Sequence, residues 1–233
     1  MNAIFTDERF DPHCIAPDMA TELLAQAPWR RFVVLGDDFA RGPGDPHEGY
    51  GASPWPDRVA AALRSVRPEL AYLNLAQPQS TATEVRARQL AKALTFQADL
   101  AAVAAGGNDV LSDHFDADAT ETELARIIGP LREAGVEVVV LAPFGSRRPA
   151  RQSPEHRDVL RRRLRLLTER TYELALRHGA IHVGLSAHPA DADPDIYGSD
   201  GRRVDARGHA IAAAAAIRRL GVHLGVNGRP SPR

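Results

Sequence analysis

Five short apolar runs, at residues 32–35, 70–75, 100–105, 136–142 and 180–185, recur along the chain with helical patterns between them. Near-continuous apolar stretches of this length are what parallel strands covered on both faces require. The intervening segments carry helix punctuation. Pro56 opens a helix over 56–66, with Val59, Ala62, Leu63 and Val66 at core spacing. Thr81 and Glu84 form a capping box for a helix to about Phe96, and Thr120 with Glu123 predicts a second one, ended by Gly135. Ser153-Pro154-Glu155 opens the longest helix, which runs to His178 before Gly179. In it Leu160, Leu164 and Leu167 mark the core face, while Arg161, Arg162, Arg163 and Arg165 read as a solvated face. An alanine-rich helix over 208–220 completes the pattern. This alternation implies right-handed crossovers and a doubly wound, three-layer α/β/α parallel sheet of about five strands. No internal repeat or low-complexity linker divides it. A single domain over 29–225 is expected, with an extension at 1–28 and a tail at 226–233, both read as loose.

Composition narrows the function classes. The chain has 233 residues, with 29 basic and 30 acidic side chains. That balance argues against a protein built to grip nucleic acid phosphates. One cysteine, Cys14, cannot form an internal disulfide. No apolar run approaches the ~20 residues that span a bilayer, and residues 1–27 lack the basic-then-apolar plan of a signal peptide. The expectation is a cytoplasmic protein without nucleic acid or membrane partners. Lys92 is the sole lysine, so arginine carries almost all of the positive charge. There is no dinucleotide glycine fingerprint, Walker loop or zinc spacing, so no cofactor and no metal is expected.

In open parallel sheets, ligands bind beyond the carboxyl ends of the strands. The first strand leads into Gly36-Asp37-Asp38-Phe39, the second into Asn74-Leu75-Ala76-Gln77-Pro78-Gln79, and the third into Gly106-Gly107-Asn108-Asp109. Near the C-terminus lies Asp200-Gly201-Arg202-Arg203, followed by Gly208-His209. These four ordered blocks resemble those of the SGNH (GDSL) hydrolase family, its bacterial lipase and esterase branch above all. The resemblance spans residues 31–220. It implies a flavodoxin-like fold, hydrolysis of esters by a Ser-His-Asp triad, and an oxyanion hole made of the serine amide, a glycine amide and an asparagine side chain.

Residue by residue, the carry-over is incomplete. Asp38 stands where the family has its nucleophilic serine, and Arg203 where it has the triad histidine. Gln79 falls on the oxyanion glycine, within one residue of register. Asn108 and Asp200 match the oxyanion asparagine and the triad acid. An aspartate forms no acyl-serine, and an arginine stays protonated and cannot act as a base. If the family geometry holds, Asp38 and Arg203 lie within hydrogen-bond reach with Asp200 on the arginine's far side. That cluster reads either as a static ion-pair network or as a repurposed site. In the second case Asp38 attacks as a carboxylate nucleophile with His47 activating water, or Asp38 and Arg203 polarise a substrate without a covalent step. An arginine fork also suits a ligand carboxylate or phosphate.

The residues expected to be catalytic are therefore Asp38, Asn108, Asp200 and Arg203, and those expected to bind substrate are Gly36, Asp37, Phe39, His47, Gln79 and Gly107. Asp37 reads as a loop anchor, Asp109 as ordering its turn, and His209 as structural. Ser80 and Thr81 read as rim residues. Asp191, Asp193 and Asp195, flanked by Pro189 and Pro194, read as a solvent loop. Two functions stay open. One is a repurposed hydrolase, lyase or cyclase acting on a small organic, acidic or ester-bearing substrate by a non-serine mechanism. The other is a pseudoenzyme that binds a small molecule or a protein.

Overall fold

The computed structural model describes residues 7–145, 153–201 and 203–227. Five strands form one sheet in the order β2-β1-β3-β4-β5. They are β1 Arg31–Gly36, β2 Ala71–Asn74, β3 Leu100–Ala104, β4 Glu137–Ala142 and β5 Ile181–Gly184. Every neighbouring pair is parallel. The helices are α1 Pro17–Leu24, α2 Asp38–Arg41, α3 Trp55–Val66, α4 Ala82–Thr95, α5 Ala117–Glu133, α6 Pro154–His178 and α7 Ala206–Asn227. The doubly wound three-layer fold follows from the apolar runs as expected.

Strand alternation sends side chains to two cores. Phe32 and Val34 of β1 join the core under α1, α3 and α7. Val33 and Leu35 join the core under α4, α5 and α6. Alanines 210, 212, 213 and 216 of α7 are buried, so this helix lies close against the sheet.

Several expectations change on contact with the structure. The Thr81–Glu84 capping box forms, with both reciprocal bonds. The one expected at Thr120 does not. The longer α5 begins a turn earlier, where the Asp116 carboxylate accepts from the Asp118 and Ala119 amides at 2.9 and 3.0 Å. Thr120 then sits inside the helix and bonds back to the Asp116 carbonyl at 2.7 Å. Helix α7 starts two residues earlier than expected and runs past Leu220 to Asn227. On α6, Arg163 is half-buried and engaged: it donates to the carbonyls of Val110 and Ser112 at 3.1 and 2.6 Å and lies over the Phe115 ring. The segment over 7–28, read as loose, is packed instead. Ala20 and Leu24 of α1 are buried against α3 and α7, and Asp11 reaches the far end of the chain to bond Arg207 at 2.9 Å. Of the expected tail, residues 226 and 227 continue α7 and the rest lies outside the described residues. The loop of alternating acids is equally engaged. Asp191 accepts from the Gly145 amide at 2.6 Å and Asp193 pairs with Arg207 at 2.7 Å.

Among the described residues, no helix is long and apolar enough to cross a membrane.

Candidate active site

The last residue of β1, Gly36, is a glycine for a steric reason. A Cβ there would lie 2.4 Å from the Ala104 carbonyl oxygen on the neighbouring β3. Gln89 of α4 fixes the same residue, accepting from its N–H and donating to its carbonyl, both at 2.9 Å. Beyond it Asp37 caps α2, its carboxylate accepting from the Phe39 amide at 3.0 Å. The chain is thereby turned so that Asp38, Phe39 and Arg41 line a cavity of about 420 Å³ at the carboxyl ends of the strands. Asn74 holds the facing loop, donating to the Ala40 carbonyl at 2.9 Å and accepting from the Ala76 amide at 3.0 Å.

The Asp38 carboxylate is held through one oxygen. Its Oδ2 accepts from the Gln79 amide at 2.7 Å and from Asn108 Nδ2 at 3.0 Å. Gln79 has a φ of 59°, the left-handed conformation that a glycine adopts at least cost. That strained residue presents its amide beside Asn108. Asn108 Nδ2 also donates to the Ser80 carbonyl at 3.1 Å, so both of its N–H groups are used. The two donors assigned by resemblance to an oxyanion hole thus hold the chain's own carboxylate.

Arg203 and Asp200 also line the cavity, but the expected Asp38–Arg203 ion pair is absent among the described residues. Arg203 turns to Asp200 instead, its backbone N–H at 3.0 Å and its Nε at 3.2 Å from the carboxylate oxygens. A carboxylate three residues back is reached locally, whereas crossing the cavity would strip water from a guanidinium that is now 64% exposed. His47 is likewise not at the cavity. Its Nδ1 lies 2.7 Å from Oδ2 of the buried Asp205, and its ring packs edge-on to Tyr50. Gly36, Asp37 and Gly107 do not line it either. Of the expected substrate-binding residues, only Phe39 and Gln79 do. Asp109, expected to order its own turn, instead holds the start of α4, accepting from the Ala82 amide at 2.9 Å, with burial raising its pKa. Thr81 serves as a cap and Ser80 is buried, its hydroxyl without a partner among the described residues.

Among the lining residues outside the expected site, two carry polar side chains: Arg41, which the sequence reading did not single out, and His209, which it read as structural. Arg41 sits three residues after Asp38 on the same helical turn, a spacing that places both on one side. His209 carries no such signal. It is 2% exposed, its ring stacks on Phe39 at 5.8 Å, and its Nδ1 accepts from the Trp55 amide at 3.3 Å. Burial, with a contribution from Arg58, pushes its pKa down to about 3.

His182 on β5 is similarly pushed down to about 4, by burial and by Arg219. Both histidines stay neutral in the folded chain where the unfolded chain carries them charged. The unfolded state therefore binds more protons, and stability falls as pH drops from about 6.5 toward 4, by up to about 1.4 kcal/mol per unit for each histidine. Asp109 and Asp205, raised by burial, act in the opposite sense, near the ordinary carboxylate range of about 4. Urea unfolding at pH 7 and pH 5 is expected to show the loss; equal stabilities would contradict it.

A shallower depression of about 640 Å³ lies between α5 and α6. Within it Arg170 is bonded to Asp118 and Glu121 at 2.9 and 3.0 Å, and it holds none of the strand-end residues. Among the described residues, no three His, Cys, Asp or Glu side chains gather as a metal site.

The three-layer parallel sheet thus brings Asn108 and the Gln79 amide together on Asp38 at the end of β1. The sequence profile of the GDSL-like lipase/acylhydrolase family matches residues 34–229, and the chain belongs to that family. Solved structures agree in fold. An α/β hydrolase from the metagenome of Lake Arreo, Spain, superposes with a TM-score of 0.66 at 19% identity, covering 82% of this chain and 95% of that one. A catalytic mutant of an acetylxylan esterase from Geobacillus stearothermophilus gives 0.66 at 20% identity, over 82% and 94%. The lipase/acylhydrolase from Enterococcus faecalis gives 0.64 at 19% identity, over 83% and 96%. No curated protein sequence matches this chain.

Proposed function

We propose that this chain acts on a small organic substrate by a non-serine mechanism in which Asp38 is the general base. The observation that supports it is the unequal use of the Asp38 oxygens: Oδ2 is fixed by the Gln79 amide and Asn108, while Oδ1 has no hydrogen-bond partner among the described residues and its residue lines the cavity. Nucleophilic attack on an ester is disfavoured, because the donors that would stabilise a tetrahedral oxyanion are occupied by the attacking group itself. Proton abstraction asks for a carboxylate held in one orientation with one lone pair free. Asp38 then takes a proton from bound water or from the substrate and returns it to the departing group. Asn108 and Gln79 act as the orienting donors. Asp200 holds Arg203 at the rim.

The second reading is a small-molecule-binding module without turnover. It is favoured by the same occupied donors and by the low pKa of His209, which leaves that residue unable to relay a proton near neutral pH. Turnover of a panel of small esters, lactones and hydroxy acids, followed by mass spectrometry, separates the two. Under the proposal some member is consumed by the wild type and its rate drops at least ~100-fold in Asp38→Asn. Turnover that survives that substitution, or labelling of a serine by a fluorophosphonate, contradicts it. Ligand binding without turnover across the panel supports the binding module.

A further inference from the structure

Three side chains of the cavity lining, Arg41, Arg203 and His209, carry donors that the described residues do not use. Among the described residues, Arg41, which lines the cavity, has no ion-pair partner. Arg203 spends only its Nε and backbone N–H on Asp200, so its two terminal nitrogens remain available. His209 adds a third donor of a different kind. Its Nδ1 accepts from the Trp55 amide, which places the ring proton on Nε2, and that nitrogen has no partner among the described residues. The ring is held between Phe39 and the Trp55 backbone, and its Nε2–H keeps solvent access in a residue that lines the cavity. On the acceptor side, Asp200 is engaged by Arg203 and one Asp38 oxygen by Gln79 and Asn108, leaving Asp38 Oδ1.

We infer that the cavity takes an anionic small molecule, a carboxylate or a phosphate, whose charge is met by Arg41 and Arg203 and one of whose oxygens accepts from His209 Nε2. Two guanidinium forks provide planar pairs of N–H groups that match either oxyanion. The neutral imidazole supplies direction without adding charge. Asp38 Oδ1 stays clear of the anion and faces the rest of the ligand. This assignment rests on the reading of the cavity as the functional site and adds the substrate's charge class to it.

Calorimetric titration of the full chain with inorganic phosphate, with malonate and with neutral methyl acetate tests the inference. Phosphate or malonate is expected to bind with a Kd near or below about 1 mM, and methyl acetate not at all. Arg41→Met and Arg203→Met are each expected to weaken the bound anion about tenfold, and Asp38→Asn to tighten it. Neither arginine has a buried partner, so both variants fold. Whichever anion binds tells a carboxylate site from a phosphate site. His209 is read without substitution: in long-range proton–nitrogen spectra it is a neutral Nε2–H tautomer whose signal shifts when the anion saturates. Absence of binding by both anions, binding unchanged in Arg41→Met and Arg203→Met, or an unmoved His209 signal would overturn the inference. Conversion of a neutral substrate that depends on Asp38, with no anion bound, would sink the charge assignment and leave the non-serine reading standing. Anion binding that needs both arginines, with no turnover of any substrate, would do the reverse.

Discussion

Changing Asp38→Ser and Arg203→His together is expected to produce hydrolysis of p-nitrophenyl acetate at least ~100-fold faster than either single variant, from a wild type that shows essentially none. The argument is geometric. Serine carries a hydroxyl where aspartate carries its carboxylate, and that carboxylate is what fills the Gln79 amide and Asn108 Nδ2. Removing it leaves both donors free for the oxyanion of a tetrahedral intermediate, where one such donor is worth about 10²–10³ in rate. Asp200 already receives a backbone N–H and a side-chain nitrogen from position 203. An imidazole placed there has its orienting acid ready, which the arginine cannot exploit because it never gives up its proton. Either substitution alone leaves a nucleophile without a base or a base without a nucleophile, so strong non-additivity is the signature. Rates in the double variant no higher than in the singles would show that the loops have moved too far from hydrolytic geometry.

The layered fold and the ends of β1, β2 and β3 were legible in the sequence because burial on both faces writes a continuous apolar run, and the turn chemistry follows directly. Asn108 and Gln79 were set side by side by the family resemblance, and the structure brings both onto Asp38 Oδ2. Side-chain direction at the surface was not legible. Arg203 was expected to face Asp38, but a long exposed side chain goes to its nearest acid, and Asp200 is three residues away. His47 was placed at the cavity by loop proximity, whereas its partner Asp205 is 158 residues distant and buried, a pairing that no local pattern encodes. Arg41 was within reach of helical spacing arguments. His209 was not, since its importance lies in which nitrogen the Trp55 backbone occupies.

Long-range pairing of that sort also explains the largest stability effect expected in this chain, from Arg207→Met. Arg207 is 3% exposed, with Nε 2.9 Å from Asp11 and Nη1 2.7 Å from Asp193. The Asp11 side chain is fully buried and accepts a further bond from the Tyr50 hydroxyl at 2.8 Å. Burial alone would raise the Asp11 pKa, but the His13 amide, Tyr50 and Arg207 outweigh it and hold the carboxyl below its usual range. Asp193 is held low on the same balance, with Arg207 and the Asp195 amide prevailing over burial. Methionine keeps most of the arginine's bulk and removes the charge, stranding an ionised Asp11 without its partner. Breaking one side of a buried pair costs about 3–5 kcal/mol, which for a chain of this length lowers Tm by roughly 10 °C. Asp11→Asn in the Arg207→Met background removes the stranded charge and is expected to recover part of the loss. The acid response separates this from a packing defect. Carboxylates whose folded pKa is depressed contribute stability that is present above the unfolded value and lost as pH falls through the folded one. Without Arg207 that contribution disappears, so the variant is expected to lose less stability than the wild type on acidification below about pH 4. Parallel acid profiles for the two proteins would place the cost of the substitution in packing and not in the ion pair. The consequence reaches the cavity, because Arg207 lies in the first turn of α7, two residues from His209, and Asp11 is what ties the N-terminal segment to that turn.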